Sequence, residues 1–166
     1  MVRLLVSYME QQSGPGGTAL PAPRPDAVIK NEKLRADEYL RLYREIGEPV
    51  QWDDRLRMSP DSLKKFLEDR AAQFFVLYLG SARAGLCESY RHAQGDVEIT
   101  NFGLIPSVQG QKLGPFLLDN ALRALWAQKP RHVWLRTDTN DHPNAMKTYE
   151  RAGFRTYRRQ WQAFPD

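Results

Sequence analysis

The residue types best suited to chemistry lie in the segment Leu104-Ile105-Pro106-Ser107-Val108-Gln109-Gly110-Gln111-Lys112-Leu113-Gly114. An apolar strand ends at its proline, a glycine-bearing turn follows, and a long apolar helix begins directly after the turn. The first N–H groups of a helix lack intrahelical partners and carry the positive end of the helix macrodipole. The pattern therefore predicts a binding site for a phosphate or pyrophosphate group.

The glycine spacing of this turn excludes two common phosphate-binding motifs. It fits neither G-x-G-x-x-G nor G-x-x-x-x-G-K-[ST], so a dinucleotide site and a P-loop are both excluded. A turn that holds the pyrophosphate of coenzyme A is the interpretation that remains.

Composition limits the class of protein and of partner. The chain has 166 residues, enough for a single domain over 1–166 with a full hydrophobic core. A net charge of +4 suits a small polyanion such as coenzyme A and argues against a nucleic-acid partner. One cysteine excludes an internal disulfide, and no stretch is long enough for a membrane span or a signal peptide. We therefore expect a soluble, cytoplasmic protein without a membrane partner.

Hydrophobic periodicity divides the chain into strands and helices. Helices are predicted after Leu34, after Ser59-Pro60, from Leu113 to Gln128 and over Asn144–Ala152, and a Gly/Pro-rich loop occupies 13–25. Strands are predicted at Val2–Met9, Ala27–Lys30, Phe74–Leu79, Gly85–Arg91, Val97–Leu104, Val133–Thr137 and Phe154–Phe164. This order indicates a mixed sheet with helices on both faces.

Two motifs in the second half of the chain carry a resemblance to a known family. They are Gln109-Gly110-Gln111-Lys112-Leu113-Gly114 and Ala145-Met146-Lys147-Thr148-Tyr149-Glu150-Arg151-Ala152-Gly153-Phe154. The first resembles the [RQ]-x-x-G-x-[GA] loop, and the second the A-x-x-x-Y-x-x-x-G-F signature, of the GNAT superfamily of acyl-CoA-dependent N-acetyltransferases. The resemblance implies an α/β (α+β) fold with a mixed, mostly antiparallel central sheet of six to seven strands, splayed between the fourth and fifth strands, and helices on both faces.

The resemblance also implies which residues bind acetyl-CoA as co-substrate. They are Leu104, Ile105, Gln109, Gly110, Gln111, Lys112, Leu113 and Gly114. Lys112 stands where relatives carry glycine, so its side chain either points into solvent or meets a phosphate oxygen. His142 stands where many relatives carry asparagine; Asn140 and Asn144 lie nearby and are kept as candidates for coenzyme contact, although neither is in register.

Three residues are candidates for the chemistry of acetyl transfer. The resemblance implies that the Leu104 amide polarises the thioester carbonyl and that Tyr149 protonates the leaving thiolate. It also points to Glu98 as the base, and period-two alternation predicts that Glu98 and Leu104 share one strand face. The alternatives are an exposed carboxylate near a hairpin turn for Glu98 and a core aromatic residue for Tyr149.

The acceptor site is expected across the splayed strands, against the first two helices and their linking loop. The candidate residues are Tyr43, Trp52, Asp53, Asp54 and Arg55. Such an acidic and aromatic lining suits a cationic amine, whereas the alternative is a surface loop whose tryptophan caps the core. No metal site is expected, because the histidines lack ligand spacing, and Cys87 is expected to be a buried, inert thiol.

These inferences favour an N-acetyltransferase that moves an acetyl group from acetyl-CoA to a primary amine of a small molecule or protein, by direct attack in a ternary complex. Two alternatives are an acyl-CoA-binding sensor or scaffold without turnover, and a basic nucleic-acid-binding module that uses Arg155, Arg158 and Arg159. Glu98 and Tyr149 argue against the first, and the lack of an RNP-like motif argues against the second. The acceptor, the acyl length and the formation of a homodimer stay open.

Overall fold

Residues 1–165, the part of the chain that the computed structural model describes, form seven strands and four α-helices. In chain order they are β1 (Val2–Gln11), β2 (Ala27–Asn31), α1 (Ala36–Gly47), α2 (Pro60–Glu68), β3 (Ala72–Leu79), β4 (Ala82–Arg91), β5 (Val97–Leu104), α3 (Leu113–Ala127), β6 (Val133–Asp138), α4 (Ala145–Arg151) and β7 (Arg155–Phe164). No helix among these residues is long and apolar enough to cross a membrane.

The strands form one sheet in the order β2-β3-β4-β5-β6-β1-β7. Every neighbouring pair is antiparallel except β5 and β6, which run parallel. These two strands pair only over Val97–Ile99 and Val133–Leu135, and they diverge beyond that point. The predicted mixed, mostly antiparallel and splayed sheet is confirmed. The prediction counted the strand that ends at Leu104 as the fourth, because it left the short strand Ala27–Asn31 out of the numbering. With that strand counted as β2, the splay lies between β5 and β6.

Helices cover both faces of the sheet. On one face α1 and α2 bury aromatic and aliphatic side chains against β3 and β4. On the other face α3 packs its apolar surface on β3, β4 and β5, and α4 adds Tyr149 to the same core. Helix α3 is apolar around most of its circumference because the sheet covers one side and the loop after β1 covers another.

The N-terminal strand lies inside the sheet. It pairs with β6 on one side and with β7 on the other, both antiparallel. The Gly/Pro-rich loop then crosses the outer face of α3 and reaches β2 at the opposite edge of the sheet. Arg123 holds this loop, since its guanidinium donates to the carbonyl oxygens of Gly16, Gly17 and Thr18 at 2.9–3.2 Å.

A β-bulge interrupts β5 beside β4. Glu88 pairs with Asn101 and Ser89 with Ile99, so Thr100 is an extra residue with no partner of its own. The extra residue reverses the alternation of side chains along the strand. Glu98 consequently faces α2, whereas the Leu104 side chain packs on α3. The prediction that these two residues share one strand face was wrong, because period-two alternation does not survive a bulge.

Candidate functional site

The N–H group of Leu104 points into the gap between the splayed strands. The next residue, Ile105, donates its N–H to the Ala84 carbonyl on the β4 side at 2.9 Å. Successive N–H groups of an antiparallel strand point in opposite directions, so the Leu104 N–H faces the side from which β6 has diverged. A backbone donor is therefore available at the place where a carbonyl oxygen would enter the gap.

The turn after β5 has the geometry of an anion-binding helix start. Gly110 and Lys112 both have left-handed backbone conformations, with φ of +81° and +63°. Lys112 is the N-cap residue of α3 and makes no side-chain cap. The N–H groups of Leu113 and Gly114 therefore have no partner within the helix, and Pro115 has no N–H group to satisfy. Lys112 has a left-handed backbone conformation of the kind that glycine adopts most easily, and its side chain is exposed.

Three of the other residues predicted to bind the coenzyme lie shortly before a helix, Gln109 and Gln111 before α3 and Asn144 before α4. Gln109 donates to the Leu104 carbonyl at 3.3 Å, and Gln111 accepts from Arg24 of the Gly/Pro-rich loop at 3.2 Å. Asn144 is the N-cap residue of α4. The Asn140 side-chain amide instead donates at 3.3 Å to Gln51, in the linker between α1 and α2.

Tyr149 lies on the α3 side of the sheet, opposite the splayed part of β5. Its ring contacts Phe102 of β5 at 5.8 Å between centroids and Phe154 at 6.1 Å. Burial raises the pKa of the Tyr149 hydroxyl well above its ordinary value, and the nearby Asp141 and Cys87 raise it further. The hydroxyl therefore keeps its proton throughout the physiological range and can act only as a donor of that proton.

Glu98 faces the opposite side of the sheet and is paired with a histidine. Its Oε1 lies 3.0 Å from Nε2 of His92, which directly follows β4. The Glu98 side chain is 12% exposed and the His92 side chain 40%, so the histidine connects the carboxylate to solvent. The His92 ring stacks on Trp134 at 5.9 Å, and Asp96 fixes the Trp134 indole through a 2.7 Å hydrogen bond. Sequence analysis missed His92, because its partner is set by the hairpin between β4 and β5.

A cavity of about 390 Å³ opens beside Glu98. We call it the α2 cavity; its lining residues are Arg55, Lys65, Phe66, Asp69, Tyr90, His92, Glu98 and Thr100. Two carboxylates, two cations and three rings thus surround one space, and Tyr90 donates to Asp69 at 3.3 Å. A wall of this kind can orient an amine by charge and by cation–π contact.

Glu88 is the charged group that sequence analysis missed most clearly. The side chain has no solvent exposure, and Nη2 of Arg55 donates to its Oε2 at 2.7 Å. The hydroxyls of Tyr39 and Thr100 also donate to this carboxylate, as does the Asn101 amide at 3.0 Å. Its one sequence signal is a glutamate in the middle of an otherwise buried strand.

Arg55 connects this network to the α2 cavity. Burial lowers the pKa of its guanidinium, but Glu88 and Tyr39 more than offset the effect, so the pKa is raised and the charge is permanent. The guanidinium stacks on Phe66 with 4.0 Å between its carbon and the ring centroid. Its Nε is buried and has no hydrogen-bond partner in the described part of the chain.

The other predicted acceptor residues lie around Arg55 without lining the α2 cavity. Tyr43 is buried in the core, where burial raises its pKa to about 12, and its hydroxyl accepts from the Arg55 N–H at 3.3 Å. Trp52 packs on Tyr43 and lies over Gly103 of β5. Asp53 forms an exposed ion pair with Arg57 at 2.6 Å, and Asp54 begins a short 3₁₀ turn.

Cys87 is buried, and burial raises the pKa of its thiol, as expected for an unreactive cysteine. In residues 1–165, no group of three or more His, Cys, Asp or Glu residues is placed to hold a metal ion.

Neutralising Glu88 should destabilise the protein strongly. We expect Glu88→Gln to lower the free energy of unfolding by about 3 kcal/mol, because Arg55 would stay buried without a counter-charge. The matched control is Glu45→Gln on the exposed face of α1, which should change stability by less than about 0.5 kcal/mol. Urea denaturation compares the two variants, and equal midpoints would contradict a structural role for the buried ion pair.

Comparison with known proteins agrees with this geometry. Residues 49–163 match the family model described as an acetyltransferase (GNAT) domain, whereas no curated protein matches the chain. The fold is similar to that of a GCN5-related N-acetyltransferase from Sphaerobacter thermophilus, with a TM-score of 0.65 and 20% identity over 94% of this chain and 49% of that chain. It is also similar to a GNAT family acetyltransferase from Streptococcus pneumoniae, with a TM-score of 0.58 and 20% identity over 78% of this chain and 87% of that chain.

A third similar structure is an aminoglycoside acetyltransferase from an uncultured soil metagenomic sample, with a TM-score of 0.64 and 16% identity over 77% of this chain and 88% of that chain. The present chain spans 49–63% of the length of the first three structures it matches. At these identities the structures establish the fold, and the family model covers more than half of the sequence. The chain therefore belongs to the GNAT acetyltransferase family.

Proposed function

We propose that the protein transfers an acetyl group from acetyl-CoA to a primary amine, which attacks the thioester directly in a ternary complex. The observation that carries this proposal is the divergence of β6 from β5 after Ile99. The turn after β5 (residues 109–114), which we call the phosphate-binding turn, lies with Tyr149 on the α3 side of this gap. The α2 cavity lies on the other side. Two substrates can therefore meet across one strand, each held by its own set of residues.

Glu98 is the proposed base. An alkyl amine is mostly protonated at neutral pH and must lose a proton before it can attack a carbonyl carbon. Glu98 accepts this proton, directly or through one water, from an amine bound in the α2 cavity. His92, which bridges Glu98 to solvent, gives the proton a route out of the site.

Leu104 and Tyr149 act on the donor. When the amine nitrogen bonds to the thioester carbon, the carbonyl oxygen gains negative charge, which the Leu104 N–H stabilises. The carbon–sulfur bond then breaks, the electron pair stays on sulfur, and Tyr149 supplies the proton that converts the thiolate into a thiol. The first N–H groups of α3 hold the pyrophosphate and fix the position of the thioester in the gap.

Replacing Glu98 by glutamine should slow turnover most at low pH. We expect Glu98→Gln to lower kcat by about 100-fold near neutral pH, with a smaller loss at high pH, where the free amine needs no base. The measurement is the pH dependence of thiol release from acetyl-CoA with a panel of primary amines. Glu68→Gln, on the exposed end of α2, serves as the control; an unchanged pH–rate profile in the Glu98 variant would remove Glu98 from the mechanism.

Removing the Tyr149 hydroxyl should slow turnover evenly across the pH range. Because the pKa of Tyr149 is raised well above its ordinary value of 10, this acid stays protonated and contributes no decline in rate below about pH 10. We expect Tyr149→Phe to lower kcat by about 100-fold and to leave the KM for acetyl-CoA unchanged. Tyr157→Phe on exposed β7 is the matched control, and wild-type turnover in Tyr149→Phe would exclude the acid role.

Lys112 can be tested against a second lysine with the same backbone. Lys112 and Lys129 both have left-handed conformations, with φ of +63° and +57°. Replacement by glycine should therefore stabilise each variant to a similar extent, by about 1 kcal/mol at most. Only Lys112→Gly should weaken acetyl-CoA binding, by about tenfold, because it removes a charge-assisted contact to the phosphates. Calorimetric titration measures both affinities; equal affinities would mean that Lys112 is a solvated residue.

A further inference from the structure

The α2 cavity contains one carboxylate more than the proposed acetyl transfer uses. Its two cations are Arg55 and Lys65, and its two carboxylates are Asp69 and Glu98. Arg55 already has a counter-charge outside the cavity lining, since its Nη2 donates to the buried Glu88 at 2.7 Å. Lys65 alone is therefore left to balance the two carboxylates.

Lys65 does not neutralise either carboxylate of the cavity. Its ammonium forms no ion pair with any residue of the described part of the chain. The side chain is exposed and lies in the last turn of α2, where the helix dipole stabilises a cation. A lysine on such a flexible stem keeps its strongly hydrated ammonium in water. Asp69 consequently stays open to a cation from outside the protein.

Asp69 is fixed in position by neutral donors. Its Oδ1 accepts from the Ala71 N–H at 2.9 Å, and its Oδ2 accepts from the Tyr90 hydroxyl at 3.3 Å. Lys33 lies nearby but donates to the backbone carbonyl of Asp69, at 2.7 Å. The charge of Asp69 raises the pKa of the Tyr90 hydroxyl, which keeps its proton and stays a donor. A carboxylate held in this way can still form a charge-assisted contact with a ligand.

The Tyr90 side chain lies between the two carboxylates. Tyr90 and Glu98 are direct partners in the register of β4 and β5, so Glu98 begins beside the root of the tyrosine. Asp69 lies at the other end, where it accepts from the hydroxyl. A short alkyl chain with an amine at each end can span this ring and reach both carboxylates.

Aromatic rings cover the path between the two carboxylates. The Phe66 ring stacks on the Tyr90 ring with 6.5 Å between centroids, and the His92 ring meets Tyr90 edge-on at 5.2 Å. Such rings pack against methylene groups and attract ammonium groups through cation–π contact. The lining thus combines an apolar middle with a carboxylate at each end.

We infer that the α2 cavity selects a short aliphatic diamine as the acceptor, with one ammonium group on Asp69 and the reacting amine at Glu98. The inference rests on the proposed acetyl-CoA-dependent function and names its substrate class. The ammonium on Asp69 stays protonated and does not react, because the base is at Glu98. The product carries a neutral amide in place of one cation, so it should rebind weakly in the reverse direction, and a single acetylation should predominate.

Three acceptors of equal chain length test the charge at the end that does not react. They are 1,4-diaminobutane with a second cation, butylamine with no second charge, and 4-aminobutanoate with an anion. With acetyl-CoA as donor, we expect kcat/KM for the diamine to exceed that for butylamine about tenfold, mainly through KM, and 4-aminobutanoate to be the poorest acceptor. Equal values for the diamine and butylamine would overturn the inference. A preference for 4-aminobutanoate would point to an anionic group bound by Lys65 and would overturn it too.

Neutralising Asp69 should remove the preference for the diamine. Asp69→Asn keeps the shape of the side chain and should raise the KM for 1,4-diaminobutane about tenfold. Asp61→Asn, in the exposed first turn of α2, makes the same change in net charge and should leave the preference unchanged. Lys65→Gln should instead lower the KM for the diamine, because it removes a cation from the cavity wall. An equal preference for the diamine in Asp69→Asn and Asp61→Asn would exclude Asp69 from acceptor recognition and overturn the inference.

Calorimetric titration separates this inference from the proposed function, because it needs no turnover. We expect 1,4-diaminobutane to bind the wild-type protein, and Asp69→Asn to bind it about tenfold more weakly than Asp61→Asn does. If the protein neither binds nor turns over any acyl-CoA, the proposed function fails, whatever the diamine titration shows. If acetyl-CoA is consumed with other amines while the diamine neither binds nor reacts, only the diamine assignment is overturned.

Discussion

Glu88 carries a charge that has no access to water, and the structure around the gap depends on how that charge is neutralised. A buried carboxylate costs several kcal/mol unless donors and a counter-charge surround it. Its donors come from separate parts of the chain: Tyr39 from α1, Arg55 from the linker between α1 and α2, and Thr100 and Asn101 from β5. The same carboxylate therefore fixes the first helix, the wall of the α2 cavity and the bulge.

The bulge explains how one strand can present groups to both faces of the sheet. Without the extra residue, Glu98 and Leu104 would face the same side, and Glu98 and the helix start after β5 would compete for one space. With Thr100 held by Glu88, Glu98 faces the α2 cavity and the Leu104 side chain faces α3. The Leu104 N–H lies between them, in the gap. An amine and a thioester can thus approach the same point from opposite faces of the sheet.

Sequence patterns predicted the parts of this arrangement that depend on neighbouring residues. The helix start after Lys112, the short helix around Tyr149 and the element order all follow from local propensity and spacing. The face of Glu98 was predicted wrongly, because a bulge that a partner strand stabilises leaves no local signal. The role of Glu88 was missed for the same reason, since its donors lie as far away in sequence as Tyr39.

The residues that sequence patterns predicted and the residues that they missed lie in different parts of the site. The residues proposed to hold the pyrophosphate lie in one segment, 104–114, so a single turn can supply them wherever the fold places it. The α2 cavity is assembled from the linker, α2, β4 and β5, and its shape follows from the Glu88–Arg55 pair that brings them together. A substitution in the turn should therefore alter donor binding alone. A substitution in the buried network should alter acceptor choice and stability together, because both depend on the same ion pair.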